Sequence, residues 1–252
     1  MPVKFGQNFL TDVVWQKRIV DWFQPQGLVV EIGPGRGALT KHLEKKYSDF
    51  LVIEIDKRLK ELHEGKAYRL LSIDFLKWDF CLDGKEIEEL SFISNLPYDV
   101  GTKILTQILL RSRRVPHFIF MLQKEVAERV CAQPGSKDFG SLSILVQGAY
   151  QVELVATLPP GAFTPKPKVF SSVIRGSRRD IPLTPQEDGF RSFIRSAFLF
   201  KRKTLANALR NVAPKEVAVA ALGAAGIPPN ARAEQVDLRG WDRLYKEVQQ
   251  RL

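Results

Sequence analysis

The chain has 252 residues, 44% hydrophobic and 26% charged, with 38 Lys and Arg against 28 Asp and Glu for a net charge of +10. This length and composition exclude a disordered or fibrous chain and allow a core that needs no metal or disulfide to hold it. The charge points to a polyanionic partner, because Lys and Arg displace counterions from phosphate backbones; a merely solvated basic surface is the alternative.

Cys81 and Cys131 lie far apart and make no zinc-ligand spacing with His42, His63 or His117. No metal site is expected, and the thiols read as reduced and buried. No run reaches the roughly 18–20 apolar residues of a membrane span. Residues 1–8 (MPVKFGQN) have neither the apolar stretch of a secretory leader nor the Arg/Ser-rich character of an import signal. The expectation is a cytoplasmic protein; for its oligomeric state, a monomer is the default.

Residues 11–24 have helical spacing, with Thr11 or Asp12 as the cap. Leu28–Ile32 reads as a short buried strand, Gly33–Gly37 as a tight turn, residues 38–47 as a helix and Phe50–Ile55 as a second strand. That order is a βαβ unit, so a parallel sheet and an α/β fold are expected. Further strands are predicted at Arg69–Ile73, Leu90–Ser94 and His117–Leu122, with helices over Gly101–Leu110 and Lys124–Val130. Two later strands are predicted, Leu142–Ala149 and Val169–Arg175, joined by a proline-rich link.

Gly176, Pro182, Pro185 and Gly189 mark a linker, after which helical patterns dominate over Phe190–Arg210, Pro214–Ala225 and Leu238–Leu252. The division expected is therefore a catalytic domain over 1–177 and a small helical domain over 178–252. The second part holds 14 Lys and Arg against 8 Asp and Glu, the first 24 against 20. The smaller part is the more basic per residue, which suits an RNA-holding appendage. In the helix predicted over 190–210, Phe190, Phe193, Ile194, Ala197, Phe198 and Leu205 take core-like spacings, which leaves Arg191, Arg195, Lys201, Arg202 and Lys203 for phosphates.

The first candidate site is Glu31-Ile32-Gly33-Pro34-Gly35-Arg36-Gly37-Ala38. Glycines at a strand-to-helix turn let the backbone approach a ligand where a Cβ would collide. Gly33-x-Gly35-x-x-Ala38 also fits a dinucleotide fingerprint, with Glu54 near the distance expected for a ribose partner, so a nicotinamide cofactor is a real competitor at this point. A carboxylate at Glu54 would accept hydrogen bonds from ribose hydroxyls. Asp74, just after the third strand, suits an adenine amino group or a helix cap equally.

Asn95-Leu96-Pro97-Tyr98 separates the nicotinamide reading from that of a methyl-donor cofactor, S-adenosylmethionine. It falls at the carboxyl end of the fourth predicted strand, where open α/β sheets bind ligands. An adenine amino group is a poor nucleophile because its lone pair is delocalised into the ring. The Asn95 side-chain oxygen and the Leu96 carbonyl can both accept from that group, favour a more pyramidal nitrogen and stabilise the positive charge that develops on it. Pro97 sets the chain direction, and Tyr98 offers a ring for a base to stack on. In this scheme no general base is needed: the methylated nitrogen is acidic and loses its proton to water. In Phe163-Thr164-Pro165-Lys166-Pro167-Lys168-Val169, the prolines stiffen an extended segment; Phe163 can close over the other face of the base and Lys166 and Lys168 can meet phosphates, or the segment is a rigid linker with a core Phe.

These segments occur together and in order with Phe5–Leu10 (FGQNFL), Val52–Asp56 (VIEID), Gln123–Arg129 (QKEVAER) and Lys201–Leu205 (KRKTL). The set resembles the rRNA adenine N6,N6-dimethyltransferase family, most closely its small-subunit type, over almost the whole chain. The resemblance implies a Rossmann-like S-adenosylmethionine-dependent methyltransferase fold with a small C-terminal helical domain that binds RNA. It implies S-adenosylmethionine as cofactor, with Gln7, Asn8, Leu10, Glu31, Gly33, Gly35, Glu54, Asp74 and Asn95 as its candidate contacts. It implies that Asn95, Leu96, Pro97, Tyr98 and Phe163 hold the target adenine, one of two adjacent adenines in the 3′-terminal hairpin loop of small-subunit rRNA, and that the partner is this RNA or an assembling small subunit. Asp99 departs from the family, which commonly has Asn there. A large-subunit rRNA methyltransferase of the antibiotic-resistance type and a non-catalytic ribosome-assembly or transcription factor are the competing readings.

Overall fold

A computed structural model describes residues 8–200 and 203–252. The chain divides into two compact units. One comprises the chain through Ala127 together with Val152–Arg178, the other Glu128–Gln151 together with Arg179–Leu252. The change of unit at 178/179 falls beside the boundary expected from the sequence, but residues 128–151 belong with the C-terminal helices.

The first unit is built on a seven-stranded sheet: β1 (Leu28–Ile32), β2 (Phe50–Ile53), β3 (Arg69–Leu71), β4 (Leu90–Asn95), β5 (His117–Gln123), β6 (Tyr150–Leu158) and β7 (Ser171–Arg178), in the order β3-β2-β1-β4-β5-β7-β6. Pairing is parallel from β3 to β5, with Val30 opposite Leu51 and Phe92, and Ile93 opposite Ile119. β7 runs antiparallel to β5, from Ser171 opposite Gln123 to Ser177 opposite His117. Strands covered on both faces read as unbroken apolar runs; all four residues of β2 are buried, as are the first six of β5. The order reverses between β1 and β4, which opens a crevice at their carboxyl ends, as in Rossmann-like sheets.

Helix α1 (Val13–Trp22) is capped by Asp12, whose Oδ1 accepts from the backbone N–H of Val14 at 2.9 Å and of Trp15 at 3.3 Å. Its Ile19 and Val20, with Phe23 just after it, share a core cluster with Leu39, Leu43, Val29, Val52 and Ile93. The other cap candidate, Thr11, instead donates through Oγ1 to the Ala162 carbonyl. Of the helix predicted over 38–47 only α2 (Thr40–Leu43) is regular, because the three-glycine turn enters it and i→i+3 bonds close its end, as from Lys46 N–H to the Leu43 carbonyl. Helix α3 (Gly101–Leu110) matches its predicted limits.

In the second unit the predicted strand at 142–149 is a helix, α5 (Ser141–Ala149), which follows α4 (Lys124–Cys131). A short apolar run does not by itself distinguish strand from helix. Here the backbone N–H of Gly140 donates to Ser143 Oγ at 3.0 Å and starts a helix, and Gly148 lets Thr184 approach so closely that a Cβ would lie 2.0 Å from its Oγ1. The strand is β6, in the stretch read as a link; its place at the sheet edge leaves Gln151, Glu153 and Leu154 exposed and blurs the alternation that would announce it. The predicted linker at Gly176 belongs to β7: a Cβ there would meet the Phe118 ring at 2.3 Å.

The predicted helix over 190–210 is divided into α6 (Asp188–Phe198) and α7 (Leu205–Ala208), followed by α8 (Lys215–Ala224) and α9 (Leu238–Gln249). Phe190, Phe193, Ile194, Ala197, Phe198 and Leu205 are all buried, as their spacing required. Phe193 packs edge-on to Trp241, and Tyr245 donates its hydroxyl to Glu187 Oε1 at 2.7 Å. Arg191 is not left for phosphates: it pairs with Asp188 and donates to the Gln186 carbonyl at 2.5 Å. Arg195 and Lys203 are exposed, the latter with Nζ 4.7 Å from the Phe200 ring centre; Lys201 and Arg202 lie outside the described residues.

Candidate functional site

The crevice between β1 and β4 holds a cavity of about 210 Å³ lined largely by apolar groups. Of the candidate cofactor contacts, Asn8, Leu10, Glu31, Gly33, Gly35, Glu54, Asp74 and Asn95 all line it; Gln7 lies outside the described residues. Residues more than sixty positions apart in sequence meet here because β1, β2 and β4 are parallel neighbours whose carboxyl ends face one way.

The turn after β1 has Gly33, Gly35 and Gly37 at φ of 62°, 59° and 78°. This left-handed region is costly for any residue with a Cβ. Gly33 N–H continues the ladder to the Ile53 carbonyl at 2.8 Å, and a Cβ at Gly33 would have no atom within 4 Å. The turn thus leaves an open cradle beside the cavity wall. Glu54, 3% exposed at the end of β2, accepts from Gly35 N–H at 3.3 Å and from Asp56 N–H at 2.8 Å. Burial raises its pKa above the ordinary carboxylate value, and these two bonds oppose the rise. Ile55, exposed between Glu54 and Asp56, adds an apolar wall.

Glu31 is buried, its Oε2 without a hydrogen-bond partner among the described residues. Burial, with the nearby Glu54 charge adding to it, pushes its pKa up to about 8. Asp74 caps a single turn of 3₁₀ helix, accepting from Leu76 N–H at 2.9 Å, so it serves the cap and lines the cavity at once.

Asn95 ends β4. Its Nδ2 donates to the Asn8 carbonyl at 2.9 Å, which leaves Oδ1 as the acceptor for a bound group. Leu96, Pro97 and Tyr98 follow along the cavity. Leu96 N–H is held by the Met121 carbonyl at 3.1 Å, and the Pro97 carbonyl receives Gly101 N–H at 3.0 Å, which turns the chain into α3. Tyr98 Oη lies 2.6 Å from Ser171 Oγ, and burial raises its pKa, so the ring is fixed and the phenol stays neutral. Asp99 is an exposed lining residue.

Phe163 departs from its expected place. It pairs with Leu10 in a two-residue antiparallel ladder, is 1% exposed and packs in the main core with Leu10, Met121 and Val173; it is not among the residues that line the cavity. The reason is registry: Phe9 opposite Thr164 and Leu10 opposite Phe163 turn the Phe163 ring inward. Lys166 and Lys168 are exposed. Residue-by-residue reading missed His63, Tyr68 and Ser171, which reach the site only through folding and carry no local signal.

The donor set fits an S-adenosyl group: glycine backbone at a cradle, a buried carboxylate at the end of β2, a second after β3, and apolar walls between them. The sequence matches the family described as Ribosomal RNA adenine dimethylase over residues 2–250. Similar proteins include "Ribosomal RNA small subunit methyltransferase A" of Acidobacterium capsulatum, 38% identical over 98% of this chain and 91% of that protein. The protein of the same name from Clostridium perfringens is 40% identical over 96% of this chain and 89% of that one. Among solved structures, the 23S rRNA methyltransferase ErmE superposes with a TM-score of 0.69 and 25% identity, over 96% of this chain and all of that one (100%). A dimethyladenosine transferase from Plasmodium falciparum, with a TM-score of 0.79 and 22% identity over 96% and 98%, shares the fold.

Proposed function

Because this chain belongs to the ribosomal RNA adenine dimethylase family, we propose that the cavity at the carboxyl ends of β1, β2 and β4 is its catalytic site and that Asn95–Tyr98 hold the amino group of the target adenine. The protein is an S-adenosylmethionine-dependent enzyme that dimethylates adenine in small-subunit rRNA. Its residues fall into three roles.

Glu54 would take the ribose hydroxyls, Asp74 the adenine amino group of the cofactor, and Gly33 and Gly35 would give the backbone approach; Asn8, Leu10 and Glu31 complete the wall, and Gln7 is a further candidate contact. When bound, the cofactor supplies a methyl group made electrophilic by its sulfonium. Asn95 Oδ1 and the Leu96 carbonyl accept from the substrate amino group and stabilise the positive charge that grows on nitrogen. Pro97 orients Leu96, and Tyr98 stacks on the base. Solvent takes the proton. Phe163 contributes by holding Leu10, from the core.

The observation that carries this reading is the bond from Asn95 Nδ2 to the Asn8 carbonyl: it commits the donor of the residue that ends β4 to the protein and leaves its acceptor oxygen for a substrate at the cavity that Asn95, Glu54 and Gly33 all line. The finer assignment is two adjacent adenines of the 3′-terminal hairpin loop, a setting in which unstacking a base is cheaper than flipping it from a duplex. The second unit, with its basic surface, holds RNA, and the protein acts as a cytoplasmic monomer on rRNA within an assembling small subunit. No helix among the described residues is long and apolar enough to cross a membrane.

The test is incubation with labelled S-adenosylmethionine and small subunits that lack methylation at those adenines, followed by nucleoside mass spectrometry. N6,N6-dimethyladenosine at the paired loop positions, lost in Asn95→Ala, is the expected result. Methylation of large-subunit rRNA instead would overturn the substrate assignment, and cofactor binding without turnover on either RNA would overturn the catalytic one.

A further inference from the structure

Gly35 has no side chain with which to anchor itself, yet both of its backbone polar groups are taken by side chains from the segment after β2. Its N–H donates to Glu54 Oε2 at 3.3 Å, and its carbonyl lies 3.0 Å from His63 Nε2. A carbonyl only accepts, so Nε2 carries the proton. His63 Nδ1 is then the acceptor for the Tyr68 hydroxyl, at 2.6 Å. The donors therefore run in one direction, from Tyr68 to His63 to Gly35 to Glu54. His63 and Tyr68 are 3% and 7% exposed, and the His63 ring also lies against Gly37, where a Cβ would stand 3.8 Å from Cε1.

We infer that His63, oriented by Tyr68, is a positioning residue that holds the glycine turn in its cofactor-binding shape; this rests on the cavity being the S-adenosyl site. The physical need is clear. Glycine retains more conformational freedom than any other residue, three stand here within five positions at positive φ, and a loose turn costs affinity because that freedom is lost on binding. A bond to the Gly35 carbonyl fixes the peptide plane that follows Gly35, as Glu54 fixes the one that precedes it. Tyr68 makes His63 a dependable donor: its phenol, with a pKa pushed up to about 12 by burial, stays protonated and occupies Nδ1, which holds the imidazole in the Nε2–H tautomer.

The test compares His63→Gln, His63→Asn and His63→Leu in the full chain, with S-adenosylhomocysteine titrated by calorimetry and thermal unfolding followed in parallel. Gln places an amide N–H near the position of Nε2; Asn does not reach it. The expected result is near-parental affinity for His63→Gln and a loss of roughly three- to tenfold for His63→Asn and His63→Leu, the size of one hydrogen bond. The loss should appear in the KM for the methyl donor, with the KM for RNA unchanged. Tyr68→Phe should fall between. If Gln and Asn lose affinity equally, or if folded His63→Leu binds like the parent, the inference is wrong. Failure of the unsubstituted protein to bind S-adenosylhomocysteine would instead overturn the assignment of the cavity.

Discussion

Asn95 Nδ2 and the Asn8 carbonyl meet at 2.9 Å across 87 positions of sequence, and this bond ties the end of β4 to the segment that leads into α1. It commits the Asn95 donor to the protein, and in the proposed mechanism the acceptor is left to the substrate.

Substitutions at Asn95 should separate those sides. Asn95→Ala removes both and is expected to lower kcat by about a hundredfold or more, the usual effect of deleting one preorganised polar group at a developing charge. Asn95→Asp keeps an acceptor but sets a carboxylate against the Asn8 carbonyl, so weaker cofactor binding should accompany its lower kcat. Calorimetry with S-adenosylhomocysteine beside single-turnover methylation reads the two effects apart.

Gly33→Ala tests the cradle. The left-handed φ of 62° costs about 1 kcal/mol with a Cβ present, and the new methyl would point into space where nothing lies within 4 Å. The protein should remain folded with a melting temperature a few degrees lower, while cofactor affinity falls by more than that stability loss alone predicts. Equal affinity would place the ligand away from this turn.

Glu31 should make the ligand-free protein less stable as pH rises. Its pKa of about 8 in the fold lies above the ordinary 4.5, so the folded state holds a proton that the unfolded chain releases. That contribution is fully present below about 4.5 and is lost as pH climbs through 8, by at most about 1.4 kcal/mol per pH unit. Glu31→Gln should unfold at a higher temperature than the parent above pH 7, with the gap widening toward pH 8. Parallel profiles would show that the carboxyl is ionised in the fold.

His117 acts at the other end of the scale. It is buried at the start of β5 beside the Phe23 ring, with neither ring nitrogen partnered among the described residues. Burial, aided by the charge of Arg175, lowers its pKa from 6.5 to about 4. The unfolded chain therefore takes up a proton that the folded one refuses, and stability is lost as pH falls from 6.5 toward 4. His117→Phe should flatten this acid limb of a melting-temperature profile; an unchanged limb would assign it to other groups.

Local pattern alone located the β-α alternation, the glycine turn, the carboxylates at the ends of β2 and β3, and the motif after β4. These signals are short-range: an apolar run flanked by glycine, or an acidic residue at a strand end, needs no distant partner to be read. The helical spacing that buried Phe190, Phe193 and Ile194 is of the same kind. Tertiary structure decided what depends on partners. It made residues 141–149 a helix, because Gly148 had to pack against Thr184, and it formed β6 on an edge whose exposed residues blur the alternation. It drew Phe163 into the core through its registry with Leu10. It also brought His63, 28 residues along the chain, against Gly35 with Tyr68 bonded behind it, where hydrogen bonds between side chain and backbone can be met only once β1 and β2 lie side by side.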